Sequence, residues 1–115
     1  MSAQFLAGAA SATVTEDKIR DYLLNLAHPL GQSKARFFLD RGFTPAVWSA
    51  FADALRQQAQ ANPIATISTE VWGTRYVVDC HCPTPDGQNP CIRTVWQLEP
   101  GKPTPRLITA HPKSK

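Results

Sequence analysis

The 115-residue chain reads as one α+β domain, with about three N-terminal helices packed on a four-stranded antiparallel β-meander. Three observations predict this. Apolar residues recur at helical spacing as far as Asn62-Pro63, and beyond Pro63 they alternate in short runs rich in Val, Ile, Thr and aromatics. The turn residues Pro, Gly, Asp and Asn separate those runs. The length suits a single hydrophobic core.

Thr15 is placed as the N-cap of a first helix in which Ile19, Tyr22, Leu23 and Leu26 form one apolar stripe, ending before the HPLG stretch. A second helix is expected from about Ser33 to Arg41, with Gly42 suited to the left-handed position that follows a helix. Thr44 and Pro45 then supply a cap and first-turn pair. Val47, Trp48, Phe51 and Leu55 share one face of a third helix that stops at Asn62-Pro63, with Trp48 and Phe51 against the sheet. Strands are predicted over 64–72, 74–82, 91–98 and 106–111, and the PTPDGQNP and EPGKPTP segments make the later reversals. In the second strand Tyr76, Val78, Cys80 and Cys82 share one face, and Arg75, Val77, Asp79 and His81 the other. Periodicity alone leaves open which alternate set of the last strand joins Arg75. Residues 1–14 are expected to be a flexible segment, 15–112 the domain, and 113–115 a basic tail.

The first dozen residues lack a basic leader and a long apolar run, so neither a signal peptide nor a membrane span is expected, and the cytoplasm is the expected location. A net charge of +3 is compatible with a polyanionic partner without requiring one. Three cysteines do not suggest a secreted disulfide framework. A hairpin between them brings Cys82 near Cys91, yet the spacing of Cys80, His81, Cys82 and Cys91 is a poor match to zinc sites. Buried reduced thiols, no metal and no cofactor are therefore expected. The three tryptophans are placed in the core.

The pieces YLLN at 22–25, HPLGQSKARFF at 28–38, Gly42-Phe43, Trp48, Thr94-Val95-Trp96 and PRLITAHP at 105–112 resemble a family of small bacterial domains of unknown function. Its shared pattern includes HPxGxxKAxFF and PRLxTAxP, and one departure here is His111 where an aromatic is expected. At the level of architecture the chain is also similar to the barnase, EndoU, colicin and RelE group of metal-independent ribonucleases, many of them toxins.

That likeness implies cleavage of RNA through its own 2′-OH, which requires a base, an acid and donors around the charged phosphorane. His28, Lys34 and Thr109 are the expected catalytic residues, and Arg75, Arg106 and His111 the expected substrate-binding ones. Pro29 and Gly31 would bend the chain so that His28 and Lys34 face one cleft. The competing reading is that His28 caps the end of the first helix and Lys34 starts the second on a solvated face. For Arg75 and Arg106 it is a pairing with Asp79 or a place at the sheet edge, and for Thr109 β propensity alone. The expected partners are RNA and a small antitoxin or immunity protein. The alternative function is a non-catalytic protein-binding domain of a toxin–antitoxin or phage-related system.

Overall fold

A computed structural model describes residues 4–29 and 32–113. Gly31, part of the expected bend, residues 1–3 and residues 114–115 of the basic tail lie outside the described residues. The fold is α+β with a four-stranded antiparallel sheet, order β1-β2-β3-β4. The strands are β1 (Ile64–Glu70), β2 (Gly73–His81), β3 (Cys91–Leu98) and β4 (Arg106–Pro112).

The first helix differs most from its expected form. Thr15 caps it as anticipated, its Oγ1 accepting from Lys18 N–H at 3.3 Å. The α-helical part, α1 (Glu16–Lys18), passes at once into a π-helical turn, Ile19–Leu23, closed by Leu24 N–H donating to Ile19 O at 2.8 Å. That wider turn shifts the helical phase, so Ile19, Leu23 and Leu24 are buried while Leu26, expected on the stripe, is exposed. The second helix, α2 (Gln32–Asp40), buries Ala35 and Phe38 and ends before Gly42, whose φ is 103°. A 3-10 turn, Pro45–Val47, leads into α3 (Trp48–Ala61). Thr44 holds the N-cap position of that turn, but its side chain makes no capping bond, and Val47 is exposed rather than on the buried face. Phe51 does face the core, where it stacks on Phe43 at 4.3 Å and meets Phe38 at 4.7 Å.

The core starts earlier in the chain than the expected boundary at residue 15. Leu6, Ala9, Ala12 and Val14 are buried, Thr13 N–H donates to Pro105 O, and Leu107 N–H donates to Thr13 O. Small and apolar residues in this stretch let the backbone lie close against β4, which is why composition alone made it look like a loose leader.

Register settles the question left open by alternation. Arg75 pairs with Gln97 and Gln97 with Arg106; Val77 pairs with Val95 and Val95 with Thr109; Asp79 pairs with Arg93 and Arg93 with His111. A bulge in β4 leaves Ile108 without a partner between Leu107 and Thr109. The extra residue lets Arg106 and Thr109 occupy the same face, which strict alternation forbids. The opposite face carries Val78, Ile92, Thr94, Trp96, Leu107 and Ala110, all buried. Gln58 of α3 reaches into it, its Nε2 donating to Val78 O, Cys80 O and Ile92 O, and its Oε1 accepting from Thr94 Oγ1 at 2.8 Å.

The cysteines contradict the expectation of reduced thiols. Cys80 and Cys91 form a disulfide and Cys82 is the free, buried one. The register sets His81 opposite Cys91, and it is the neighbouring Cys80, whose φ of 135° breaks the extended alternation of β2, that bonds to Cys91.

Candidate active site

Three side chains from distant parts of the chain meet at the β4 edge of the sheet. Lys34 of α2 donates through Nζ to Tyr22 Oη in the π turn and, at 3.2 Å, to Thr109 Oγ1 of β4. The two hydroxyls lie 3.3 Å apart. The His28 ring stands edge-on to the Tyr22 ring, with centroids 5.0 Å apart and planes at 71°. The ammonium groups of Lys34 and Lys18 lie 4.9 and 5.4 Å from the centre of the same ring. His28, Lys34, Tyr22 and Thr109 are all half-buried, so their polar atoms are held in place yet accessible.

Local structure explains the meeting. The π turn places Tyr22 beside the buried Ile19 and Leu23, with its ring against the core and its hydroxyl at the margin. In α2, Lys34 precedes the fully buried Ala35 and so sits at the edge of the packed face, not in open solvent. The β4 bulge turns Thr109 out of the core face. Electrostatics follow from these contacts. Burial works to raise the Tyr22 phenol, but hydrogen bonds from Lys34 and Thr109 and the charges of Lys34 and Lys18 outweigh it, so its pKa lies below the usual 10.0.

Of the expected catalytic residues, the structure brings together His28, Lys34 and Thr109, with Tyr22 between them. Helical spacing places Tyr22 on an apolar stripe and gives it no site role; the signal for one is the phenol itself, which keeps its ring dry and its oxygen wet. The expected substrate-binding residues lie outside this hydrogen-bonded group. Arg75 and Arg106 share one cross-strand row, and His111 belongs to another on the same face. Arg75 Nη2 donates to Gln97 Oε1 at 2.9 Å, Arg106 pairs with Glu99 at 2.8 Å, and His111 Nδ1 lies 3.1 Å from Pro112 O. Asp79, the partner that the competing reading offered Arg75 and Arg106, is held by Arg93 through two bonds of 2.8 and 3.0 Å. Those bonds keep its carboxyl below the ordinary range against the opposing effect of burial. A concavity of about 340 Å³ lined by Gln32, Ser33, Arg36, Phe37 and Asp40 lies elsewhere on α2 and includes none of the cluster.

The cysteine and histidine set offers little to a metal. Cys80 and Cys91 are committed to each other, and burial pushes the Cys82 thiol up to about 12. Among the described residues there is no group of three or more His, Cys, Asp or Glu side chains placed to hold a metal ion. No helix among them is long and apolar enough to cross a membrane.

A family model described as a domain of unknown function, DUF6883, matches residues 5–114. The chain belongs to this family. The DUF6883 match takes in the N-terminal segment whose Leu6, Ala9, Ala12 and Val14 are buried, as well as the whole sheet. No curated protein and no solved structure matches the chain.

Proposed function

We propose that the protein is an endoribonuclease that needs no metal and cuts RNA by internal attack of the 2′-OH. The observation that carries this reading is the convergence of a lysine ammonium, a phenol and a threonine hydroxyl beside a histidine. In this reading His28 takes the 2′-OH proton as the 2′ oxygen attacks phosphorus. Lys34 and Thr109 donate to the non-bridging oxygens of the phosphorane. The bond to the 5′ oxygen then breaks, and Tyr22 gives that oxygen its proton. The products are a 2′,3′-cyclic phosphate and a 5′-hydroxyl. A lowered phenol pKa suits Tyr22 to this step, because the Lys34 charge stabilises the phenolate left behind. His28 recovers Tyr22 for the next cycle by returning its proton through water. Arg75, Arg106 and His111, on the face that Thr109 joins, are the groups that would meet the flanking phosphates. The distant likeness to toxin ribonucleases belongs to this proposal, and so does an antitoxin or immunity protein as partner.

The test is incubation of purified protein with single-stranded RNA in excess chelator, followed by analysis of product ends. Cyclic 2′,3′ or 3′-phosphate ends, lost in His28→Ala and Lys34→Ala proteins that still fold, support the proposal. Intact RNA, or ends that carry 5′-phosphate, would remove it.

A cytoplasmic setting is part of the same proposal, and the Cys80–Cys91 pair gives it a check, since disulfides persist mainly in oxidising compartments. Thiol blocking in intact cells should find all three cysteines reduced if the protein works in the cytoplasm. A second reading, the non-catalytic protein-binding domain, is favoured by the exposure of Ile67 and Val71 on and beside the edge strand β1.

A further inference from the structure

Trp72 does not join the core with Trp96. It lies in the β1–β2 turn with 44% of its surface exposed, and the Arg75 guanidinium sits over its ring at 4.9 Å. Arg75 also differs from the other arginines of its sheet face. Arg93 is paired with Asp79 and Arg106 with Glu99, whereas among the described residues Arg75 has the neutral Gln97 amide as its hydrogen-bond partner and its Nε has none. An aromatic surface thus stands beside a cation that is paired with no carboxylate among the described residues. Ile67, although also exposed, pairs with Tyr76 and so lies on the opposite face of the sheet, which separates it from this feature.

We infer that Trp72 and Arg75 form a stacking platform for an unpaired base of single-stranded RNA, with Arg75 also meeting the adjoining phosphate. The inference rests on the ribonuclease reading for its choice of nucleic acid and adds where the strand is held. Base stacking on an aromatic ring beside an arginine is the usual means of binding single strands without reading sequence. Position supports it. Arg75 and Thr109 are separated by two strand spacings and two residues along the sheet, roughly 12 Å from standard strand geometry. A few nucleotides span that distance, so one strand can lie on the platform while its scissile phosphate reaches Lys34 and Tyr22. The geometry also selects single strands, because a paired base has both faces covered by its neighbours.

The experiment uses a labelled single-stranded pyrimidine oligonucleotide of about eight nucleotides with 2′-O-methyl riboses, which lacks the attacking hydroxyl, so binding is read without cleavage. Titration of the full-length protein should give a Kd that Trp72→Ala weakens about 5- to 150-fold and Trp72→Phe weakens less. Arg75→Ala should reduce the salt dependence of binding by about one phosphate contact. A Kd unchanged by Trp72→Ala overturns the inference, as does equal affinity for a duplex of the same chemistry. Loss of self-association or of an acidic peptide's binding in Trp72→Ala, with RNA affinity intact, would assign the patch to protein contacts and also overturns it. Cleavage of the unmodified oligonucleotide by the wild-type protein is measured alongside. If cleavage fails while Trp72→Ala still loses RNA binding, the platform stands and only the ribonuclease reading falls. If cleavage occurs and Trp72→Ala binds as the wild type does, the reverse holds.

Discussion

Tyr22 is the residue on which the site depends, because its oxygen is where Lys34 and Thr109 converge. Its folded-state pKa lies below its ordinary value of 10.0, so the phenolate forms at lower pH in the folded protein than in the unfolded chain. The sign follows directly. This pairing contributes stability above the unfolded pKa and loses it as pH falls through the folded pKa. In a Tyr76→Phe background, which leaves Tyr22 as the sole tyrosine, phenolate absorbance should therefore rise earlier than for free tyrosine. Replacing Lys34 by Met should move the transition upward, since burial then acts with less opposition. An unshifted curve in both proteins would mean that Lys34 and Tyr22 do not meet in solution.

At the scale of elements, the strands and α3 were legible because their signals are local. The third strand runs over 91–98 as expected and the fourth starts at Arg106. The first helix was legible only in part, since Thr15 marks its start but no periodic pattern announces a π turn. The Ile108 bulge was equally hidden, and with it the face on which Thr109 lies. Gln58 is an intermediate case. It sits seven residues after Phe51 and three after Leu55, on the buried stripe, but a polar residue there gives no apolar signal. Its amide ties α3 to β2 and β3, and Thr94 in turn accepts from Trp96 Nε1 at 2.7 Å. Gln58→Ala should therefore cost more than an exposed glutamine would, about 2–4 kcal/mol in denaturant unfolding, because it strands buried carbonyls and opens a cavity. A loss below about 0.5 kcal/mol, as at surface sites, would show that this network is not formed.

Across the whole molecule, the site is assembled by long-range contacts that a linear reading sees only as separate motifs. His28 and Lys34 were recognisable as a pair in HPLGQSK, but their common neighbour Tyr22, and the Thr109 that Lys34 also meets, are fixed by the packing of three elements. Composition likewise concealed the disulfide, because the register partner of Cys91 is His81, and the backbone at Cys80, with its positive φ, goes with that neighbour's meeting Cys91. That bond closes a short loop, with partners 11 residues apart. Cys91→Ser should lower global stability by about 2–3 kcal/mol on the loop-entropy account, and a strong reductant should lower the wild type by the same amount. Equal melting of oxidised and reduced protein would refute that account. The central claim, that the Tyr22–Lys34–Thr109 cluster is catalytic, is tested most directly by the single-turnover rate of RNA cleavage in chelator for wild type and Tyr22→Phe. This substitution removes one oxygen and leaves Lys34 bonded to Thr109. The predicted result is a rate about 10²- to 10⁴-fold lower in a protein that is still folded at the assay temperature; equal rates in the two proteins would contradict it.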